Sequence, residues 1–313
     1  MMRRVAFIFS GQGSQYPGMG REIYENFKCA RHIFDKANEI LDIDVKSLCF
    51  QGPESELSKT ENTQPCMVTT STAIVEVLRE YNIKADYTAG LSLGEYSALI
   101  YAGSFSFEDG VKLVHKRGKI MQDAVPEGRG AMSAVMGLDR KTVEEICRSL
   151  SNEGIVEIAN FNCPGQIVIS GERNAVEKAN IELKSAGASK TVVLNVSGPF
   201  HSSLLNEASI ELEKELIKID INSPNIKVIS NYDNEYYSGK VTDIVYKLKK
   251  QISSSVRWED NMRKMIDDGV ELFIEIGPGK TLTSFMRKID KSIKVLNVED
   301  MKSLDKLLME IGR

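Results

Sequence analysis

The pentapeptide Gly90-Leu91-Ser92-Leu93-Gly94 constrains this chain more than any other stretch. The apolar run Ala85–Ala89 reads as a short strand leading into it, and Glu95–Tyr101 reads as the helix that follows. G-x-S-x-G in that setting places a serine on a tight strand-to-helix turn. The backbone is cramped there, so the positions two residues either side of the serine must lack side chains to let strand and helix approach. Ser92 then projects into a cleft at a helix start, where free N–H groups favour developing negative charge. The N–H of Leu93 is the natural first oxyanion donor. Five residues rich in serine and glycine also arise by chance, and the flanking strand and helix narrow that alternative.

Around this turn, short apolar runs alternate with longer helical patterns, which predicts a parallel sheet covered by helices. Val5–Phe9 reads as a strand ending in a glycine-rich turn, and helical stretches follow around Glu22–Leu41 and Thr69–Tyr81. Glu108–Ala124 is another helix; Val270–Ile276 is a buried strand stopped by Gly-Pro-Gly, with a helix from Thr281. The middle of the chain differs. Ala131–Met136, Val156–Ala159, Gln166–Ser170 and Lys190–Val196 read as strands, with helices at Arg140–Leu150 and Ala175–Ala186. Asn-Cys-Pro-Gly at 162–165 is a turn signal that pairs the second and third of these strands as a hairpin. The order β-α-β-β-α-β is that of a ferredoxin-like unit. The expected fold class is therefore α/β: an α/β-hydrolase-like core over residues 1–127 and 198–313, interrupted by a ferredoxin-like subdomain over 128–197.

Length and composition set the outer bounds. A chain of 313 residues with 42% hydrophobic and 27% charged residues can bury a sizeable core without disulfides or metals. A net charge of −4 gives no reason to expect nucleic acid as a partner. Five cysteines without C-x-x-C spacing read as reduced thiols in a cytosolic protein. The amino-terminal apolar run stops at Phe9, too short for a signal segment, and no stretch approaches the roughly 18 apolar residues of a membrane span. A cytoplasmic setting away from membranes is the expectation.

A serine nucleophile needs a base and a second oxyanion donor. Three histidines are available. His32 and His115 fall inside amphipathic helices, where a surface or packed histidine is the better reading. His201, in Gly198-Pro199-Phe200-His201-Ser202-Ser203, lies between a strand and a helix at one edge of the inserted unit, and is favoured as the base. A capping role for Ser202 or Ser203 is the plainer alternative. Ser10-Gly11-Gln12-Gly13-Ser14-Gln15 ends the first strand with glycines that let backbone N–H groups face a ligand. Position 16 is Tyr16, so this is not the dinucleotide-binding G-x-G-x-x-G, and Ile274 stands where a P-loop ending in Gly279-Lys280-Thr281 needs glycine. Arg117 falls on the same helical face as Val111, Val114, Met121 and Val125. An inward arginine wants an anion, and its planar fork suits a carboxylate. Snorkelling to solvent or pairing with an internal acid accounts for the position equally well.

Several stretches together carry a resemblance to the malonyl-CoA:acyl carrier protein transacylase family. They are F-S-G-Q-G-S-Q at the first strand, G-L-S-L-G-E-Y-S-A-L at Ser92, H-K-R-G-K-I-M-Q at Arg117 and N-F-N-C-P-G-Q-I-V-I-S-G at 160–171. G-P-F-H at 198–201, Q-I-S-S-S-V-R-W at 251–258 and E-I-G-P-G-K-T-L at 275–282 complete the set, which spans nearly the whole chain. The resemblance implies a nucleophile at Ser92, a general base at His201 and backbone oxyanion donors at Gln12 and Leu93. It also implies that the main-chain carbonyl of Gln251 orients the histidine in place of an acid, and that Arg117 clamps the free carboxylate of malonate. Phe200 resembles the malonyl-type form of its loop rather than a methylmalonyl type. The family often has histidine just before the serine, where this chain has Leu91.

Ping-pong transfer from malonyl-CoA, the substrate, to the phosphopantetheine thiol of acyl carrier protein is what the resemblance implies, with no metal or redox cofactor. A serine thioesterase or other hydrolase, an acyltransferase of polyketide assembly and a catalytically dead interaction module are the competing readings. Retention of serine, histidine and both glycine turns weighs against the last. An acidic carrier would favour a basic patch, for which Lys247, Lys249 and Lys250, or Arg287 and Lys288, are candidates.

Overall fold

A computed structural model describes residues 4–126, 128–196 and 198–312. Among them are nine strands: β1 (Val5–Phe9), β2 (Tyr87–Gly90), β3 (Gly130–Met136), β4 (Val156–Cys163), β5 (Gln166–Glu172), β6 (Lys190–Val193), β7 (Lys227–Val228), β8 (Leu272–Ile276) and β9 (Lys294–Val298). They form two sheets. The larger is parallel throughout, in the order β7-β2-β1-β8-β9. The smaller is antiparallel, in the order β4-β5-β3-β6. The chain is an α/β protein with a parallel core sheet and a separate ferredoxin-like unit, as the alternation of periods predicts.

The central strands are apolar on both faces because helices cover both. Phe7 and Phe9 of β1 pack with Met67 and Ile74 of the Thr60–Glu80 helix, while Ala6 and Ile8 face Trp258, Met262 and Phe285. β8 alternates the same way, Leu272 and Ile274 to one side and Phe273 to the other. Each such fully buried side chain contributes on the order of 2 kcal/mol, so sliding β1 by one residue would forfeit both interfaces. The charged residue of β8, Glu275, is buried and accepts the N–H groups of Leu282 and Thr283, at 2.9 and 2.7 Å, where the Thr281–Ile289 helix begins. A carboxylate at a helix N-terminus is electrostatically favourable, which is how a β-strand tolerates it here.

The small sheet buries one face under the Arg140–Ser149 and Arg173–Ser185 helices, with Val135, Ile158 and Ile169 against Val143, Val176 and Leu183. Its other face, carrying Met132, Ala134 and Val168, joins the main core and roofs a cleft above the parallel sheet. The 162–165 hairpin closes tightly, with Cys163 opposite Gln166 and Gly165 at φ 71°. The expected domain limits at 127 and 197 fall on residues outside the described set.

Several helix bounds differ from the periodicity. The stretch 22–41 is two helices, Arg21–Asn26 and Lys28–Ile40, separated by an extended Phe27 whose ring packs edge-on against Tyr81. The helix expected from Thr69 begins at Thr60, because its first turns (T-E-N-T-Q-P) are polar yet buried, and Pro65 sits inside it. The strand ending at Val196 by periodicity ends at Val193. The Val45–Gln51, Glu54–Leu57, Asn206–Leu216, Val241–Gln251, Trp258–Asp267 and Met301–Glu310 helices, with β7 and β9, lie outside what the periodicity assigned. All five cysteines are free, and no described helix is long and apolar enough to cross a membrane.

Candidate active site

β2 ends at Gly90 and the Gly94–Tyr101 helix begins two residues after Ser92. Ser92 has φ 52°, a left-handed conformation uncommon for a residue with a side chain and held only where its surroundings enforce it. Three hydrogen bonds do so. Its N–H donates to Asn231 Oδ1 at 2.6 Å, and its carbonyl accepts from Gln251 Nε2 at 2.8 Å and from the Glu95 N–H at 3.1 Å. Asn231 Nδ2 also donates to the Gly90 carbonyl at 2.8 Å, tying the strand end to the turn. The glycines answer a packing requirement: a Cβ on Gly90 would lie 1.8 Å from the Gly94 carbonyl carbon, and one on Gly94 would lie 2.2 Å from the Phe9 oxygen. Both obstacles are backbone, so neither can rotate aside. Gly94→Ala should therefore lower stability by about 3 kcal/mol or more, read as the urea midpoint; an unchanged midpoint would show that the elbow can widen.

His201 faces Ser92. Its Nε2 lies 2.7 Å from Ser92 Oγ and its Nδ1 lies 2.9 Å from the Gln251 carbonyl oxygen. A carbonyl only accepts, so Nδ1 carries the proton and Nε2 is left to accept from the serine hydroxyl. His201 itself sits at φ 60°. The turn that carries it is fastened by Ser202 Oγ donating to the Pro199 carbonyl at 2.7 Å. It is also fastened by Glu157 of β4, which accepts from the N–H (2.7 Å) and hydroxyl (2.9 Å) of Ser203. Ser202 thus makes no side-chain cap to the short helix after it. Burial, with the nearby Arg117 cation, pushes the His201 imidazole down to about 4. It is neutral at neutral pH and able to accept a proton. Any rate that needs neutral His201 should hold as the solution is acidified from about pH 7, then fall through about pH 4. A stopped-flow acylation profile with an acid limb near the ordinary histidine value would contradict this.

Arg117 lies in the Phe107–Asp123 helix and is 1% exposed, on the face shared with Val111, Val114 and Met121. Its Nη1 donates to Gln64 Oε1 at 2.9 Å; its Nη2 reaches Ser92 Oγ at 3.2 Å and Gln251 Oε1 at 3.1 Å. The guanidinium stacks over the Tyr96 ring at 5.1 Å. It does not snorkel to solvent, and among the described residues no acid pairs with it at contact distance; the internal acid nearest in effect, Glu95, is reached through the Gln251 amide. Burial lowers its pKa.

These groups form the floor of a cleft of about 240 Å3 between the two sheets, whose apolar walls include Met121, Met132, Leu194, Phe200 and Phe285. Leu91 lines it too, as do Gln12 and Leu93. The backbone N–H groups of Gln12 and Leu93 donate to no acceptor among the described residues; the Gln12 side chain is turned away, donating to Thr60 Oγ1 at 3.1 Å. His32 is exposed on its helix, and His115 is buried with Nδ1 3.0 Å from the Glu61 carbonyl, so neither approaches the cleft.

Three residues that hold this site, Gln64, Asn231 and Tyr237, have no sequence signal of their own and are marked only by their contacts, while Glu95 lies within the G-L-S-L-G-E-Y-S-A-L stretch at Ser92 without being singled out there. The lysine run at 247–250 also reads differently in three dimensions. Lys247 is buried and paired with Asp233 and Asp243 at 3.4 and 3.5 Å, and Lys249 pairs with Glu213 at 2.6 Å. Those two charges are already paired, and Lys250 lies over the Tyr246 ring, 5.9 Å from its centroid. Arg287 and Lys288 instead lie on the helix whose Thr281, Leu282 and Phe285 line the cleft.

The profile of the family described as "Acyl transferase domain" matches residues 6–309. The malonyl CoA-acyl carrier protein transacylase of Bacillus subtilis (strain 168) is 45% identical over 305 residues, covering 97% of this chain and 96% of its own. That of Staphylococcus aureus (strain MRSA252) is 40% identical, covering 97% and 98%. Among solved structures, the malonyl CoA-acyl carrier protein transacylase from Clostridium perfringens Atcc 13124 matches with a TM-score of 0.95 at 49% identity, covering 99% of this chain and 97% of its own. A malonyl-transacylase solved in complex with a type II PKS acyl-carrier protein matches with a TM-score of 0.95 at 38% identity, covering 98% and 99%.

Proposed function

The chain belongs to the acyl transferase domain family, and from that premise we propose that it moves the malonyl group from malonyl-CoA to the phosphopantetheine thiol of acyl carrier protein through a malonyl-serine intermediate. The observation that carries the reading is the buried Arg117 guanidinium, 3.2 Å from Ser92 Oγ and without an ion-pair partner among the described residues. A buried cation in direct contact with the nucleophile, at the floor of the cleft, calls for a substrate that brings its own carboxylate.

The chemistry divides into two similar halves. His201 Nε2 takes the Ser92 proton as Oγ attacks the thioester carbonyl. The oxyanion lies against the N–H groups of Gln12 and Leu93. As it collapses, the carbon–sulfur bond breaks and the CoA sulfur takes the proton from His201. In the second half, the carrier thiol gives its proton to His201 and its sulfur attacks the serine ester. Ser92 leaves with that proton. Gln251 contributes its carbonyl to the imidazolium that forms transiently, and Phe200 walls the acyl pocket. Each proton and electron pair is accounted for by Ser92, His201 and the substrates, so the scheme requires no metal or redox group.

We assign residues 1–127 and 198–313 to the catalytic domain and 128–197 to the subdomain that roofs it. Five free cysteines and a CoA substrate support a cytoplasmic setting. Incubation with malonyl-CoA should add one malonyl group to the Ser92 peptide, read by mass spectrometry, and holo carrier protein should remove it faster than water. An unmodified Ser92 peptide would refute the proposal, and rapid loss to water with no preference for the carrier would make the protein a hydrolase.

A further inference from the structure

Behind Ser92 lies a second charged group that the transfer scheme does not use. Glu95, in the first turn of the helix that follows the nucleophile, is completely buried. Its Oε1 accepts from the Tyr237 hydroxyl at 2.5 Å; its Oε2 accepts from Gln251 Nε2 at 2.8 Å and from the Asn231 N–H at 3.2 Å. The Gln251 side chain is thus a bridge: its amide nitrogen donates to Glu95 while its amide oxygen accepts from Arg117 Nη2. One polarisable amide separates the carboxylate from the cation. We propose that Glu95 is a specificity-determining residue, the internal counter-charge of Arg117, whose ionisation sets how strongly the site prefers an acyl group bearing a carboxylate over a neutral one. This rests on the malonyl-transfer reading above.

The physical argument is a competition between two anions for one cation. With Glu95 ionised, the Arg117 charge is balanced from behind, and a neutral acyl group is tolerated. With Glu95 protonated, the cation is uncompensated in a low-dielectric site, and a substrate carboxylate gains correspondingly more. By linkage the effect is reciprocal: a bound malonyl carboxylate makes Glu95 a stronger base and draws a proton onto it. Geometry and burial supply the means. Desolvation lifts the Glu95 carboxyl to about 7, against the pull of Tyr237, Gln251, the Asn231 N–H and Arg117. The other ionisable groups around it are few. Tyr96 on its own helix and Tyr237 are both held neutral by burial, His201 faces Arg117, and Lys247 lies over the Tyr237 ring, 5.2 Å from its centroid, but pairs with Asp233 and Asp243.

The test compares kcat/KM for Ser92 acylation by malonyl-CoA and by acetyl-CoA across pH. Titration of His201 affects both donors and cancels in the ratio, as does the common CoA moiety. The malonyl carboxylate, an ordinary acid, stays ionised above about pH 6. The malonyl-to-acetyl ratio should fall about fivefold as pH rises from about 6 to about 8. Glu95→Gln should leave the ratio high and flat. Tyr237→Phe, which removes one donor to the carboxylate, should move the transition to higher pH, and it serves if the first variant does not fold. A merely structural role would lower both rates together and leave the ratio alone. A flat ratio in the unmodified protein, or a pH-dependent ratio that survives unchanged in both variants, would overturn the inference while leaving malonyl transfer intact. Absence of any malonyl adduct would instead remove the reading beneath it.

Discussion

Ser92→Ala should abolish the covalent malonyl adduct and lower transfer by on the order of 10^4-fold or more. The variant removes only Oγ. The left-handed backbone at position 92 is held by Asn231, Gln251 and Glu95 through main-chain atoms, so those restraints survive the substitution. The N–H groups at Gln12 and Leu93 likewise remain. A folded protein with an intact cleft and no acyl-enzyme is the expected result, seen as an unchanged intact mass after exposure to malonyl-CoA. An adduct still forming at wild-type rate would mean that another residue carries the acyl group, and the assignment of the whole elbow would fall with it.

The second large effect should come from Arg117→Ala. Removing one partner of a buried, hydrogen-bonded charge pair costs about 3–5 kcal/mol. Malonyl transfer should therefore drop by on the order of 10^2- to 10^4-fold. Acetyl transfer should stay within about threefold of the parent, because a neutral acyl group makes no such pair. The same substitution removes the cation that helps hold the His201 imidazole down. The acid limb of the residual acetyl activity should accordingly move to higher pH. Parallel loss of malonyl and acetyl rates would show that Arg117, which contacts both Ser92 and Gln251, organises them rather than selecting the substrate.

Much of this arrangement was legible along the chain, for reasons that differ by element. The elbow was legible because the chemistry of a tight strand-to-helix turn is local: the glycines at 90 and 94 sit two residues from the serine they serve, and a Cβ at either would strike backbone. The small unit was legible because its short apolar runs and helical stretches follow one another in the order β-α-β-β-α-β and Pro164-Gly165 marks its hairpin. Arg117 was marked only by its phase on an otherwise apolar helical face; whether it turned inward was not decidable from that phase. The start of the Thr60–Glu80 helix was hidden by a buried face made of threonine, asparagine and glutamine, which periodicity counts as solvent-facing.

By itself, then, the sequence determined the α/β alternation, the inserted β-α-β-β-α-β unit, and the backbone geometry that exposes Ser92, since each depends on residues a few positions apart. The tertiary structure alone decided which groups meet that serine. His201 arrives from 109 residues away, Asn231 from 139 and Gln251 from 159. The group that orients the imidazole is a main-chain carbonyl, which every residue possesses and no side chain announces. The link from Arg117 through Gln251 to Glu95 exists only because burial removes the water that would otherwise screen the two charges. Local sterics are written in neighbouring residues, whereas the pairing of distant polar groups is settled by the packing that brings them out of solvent together.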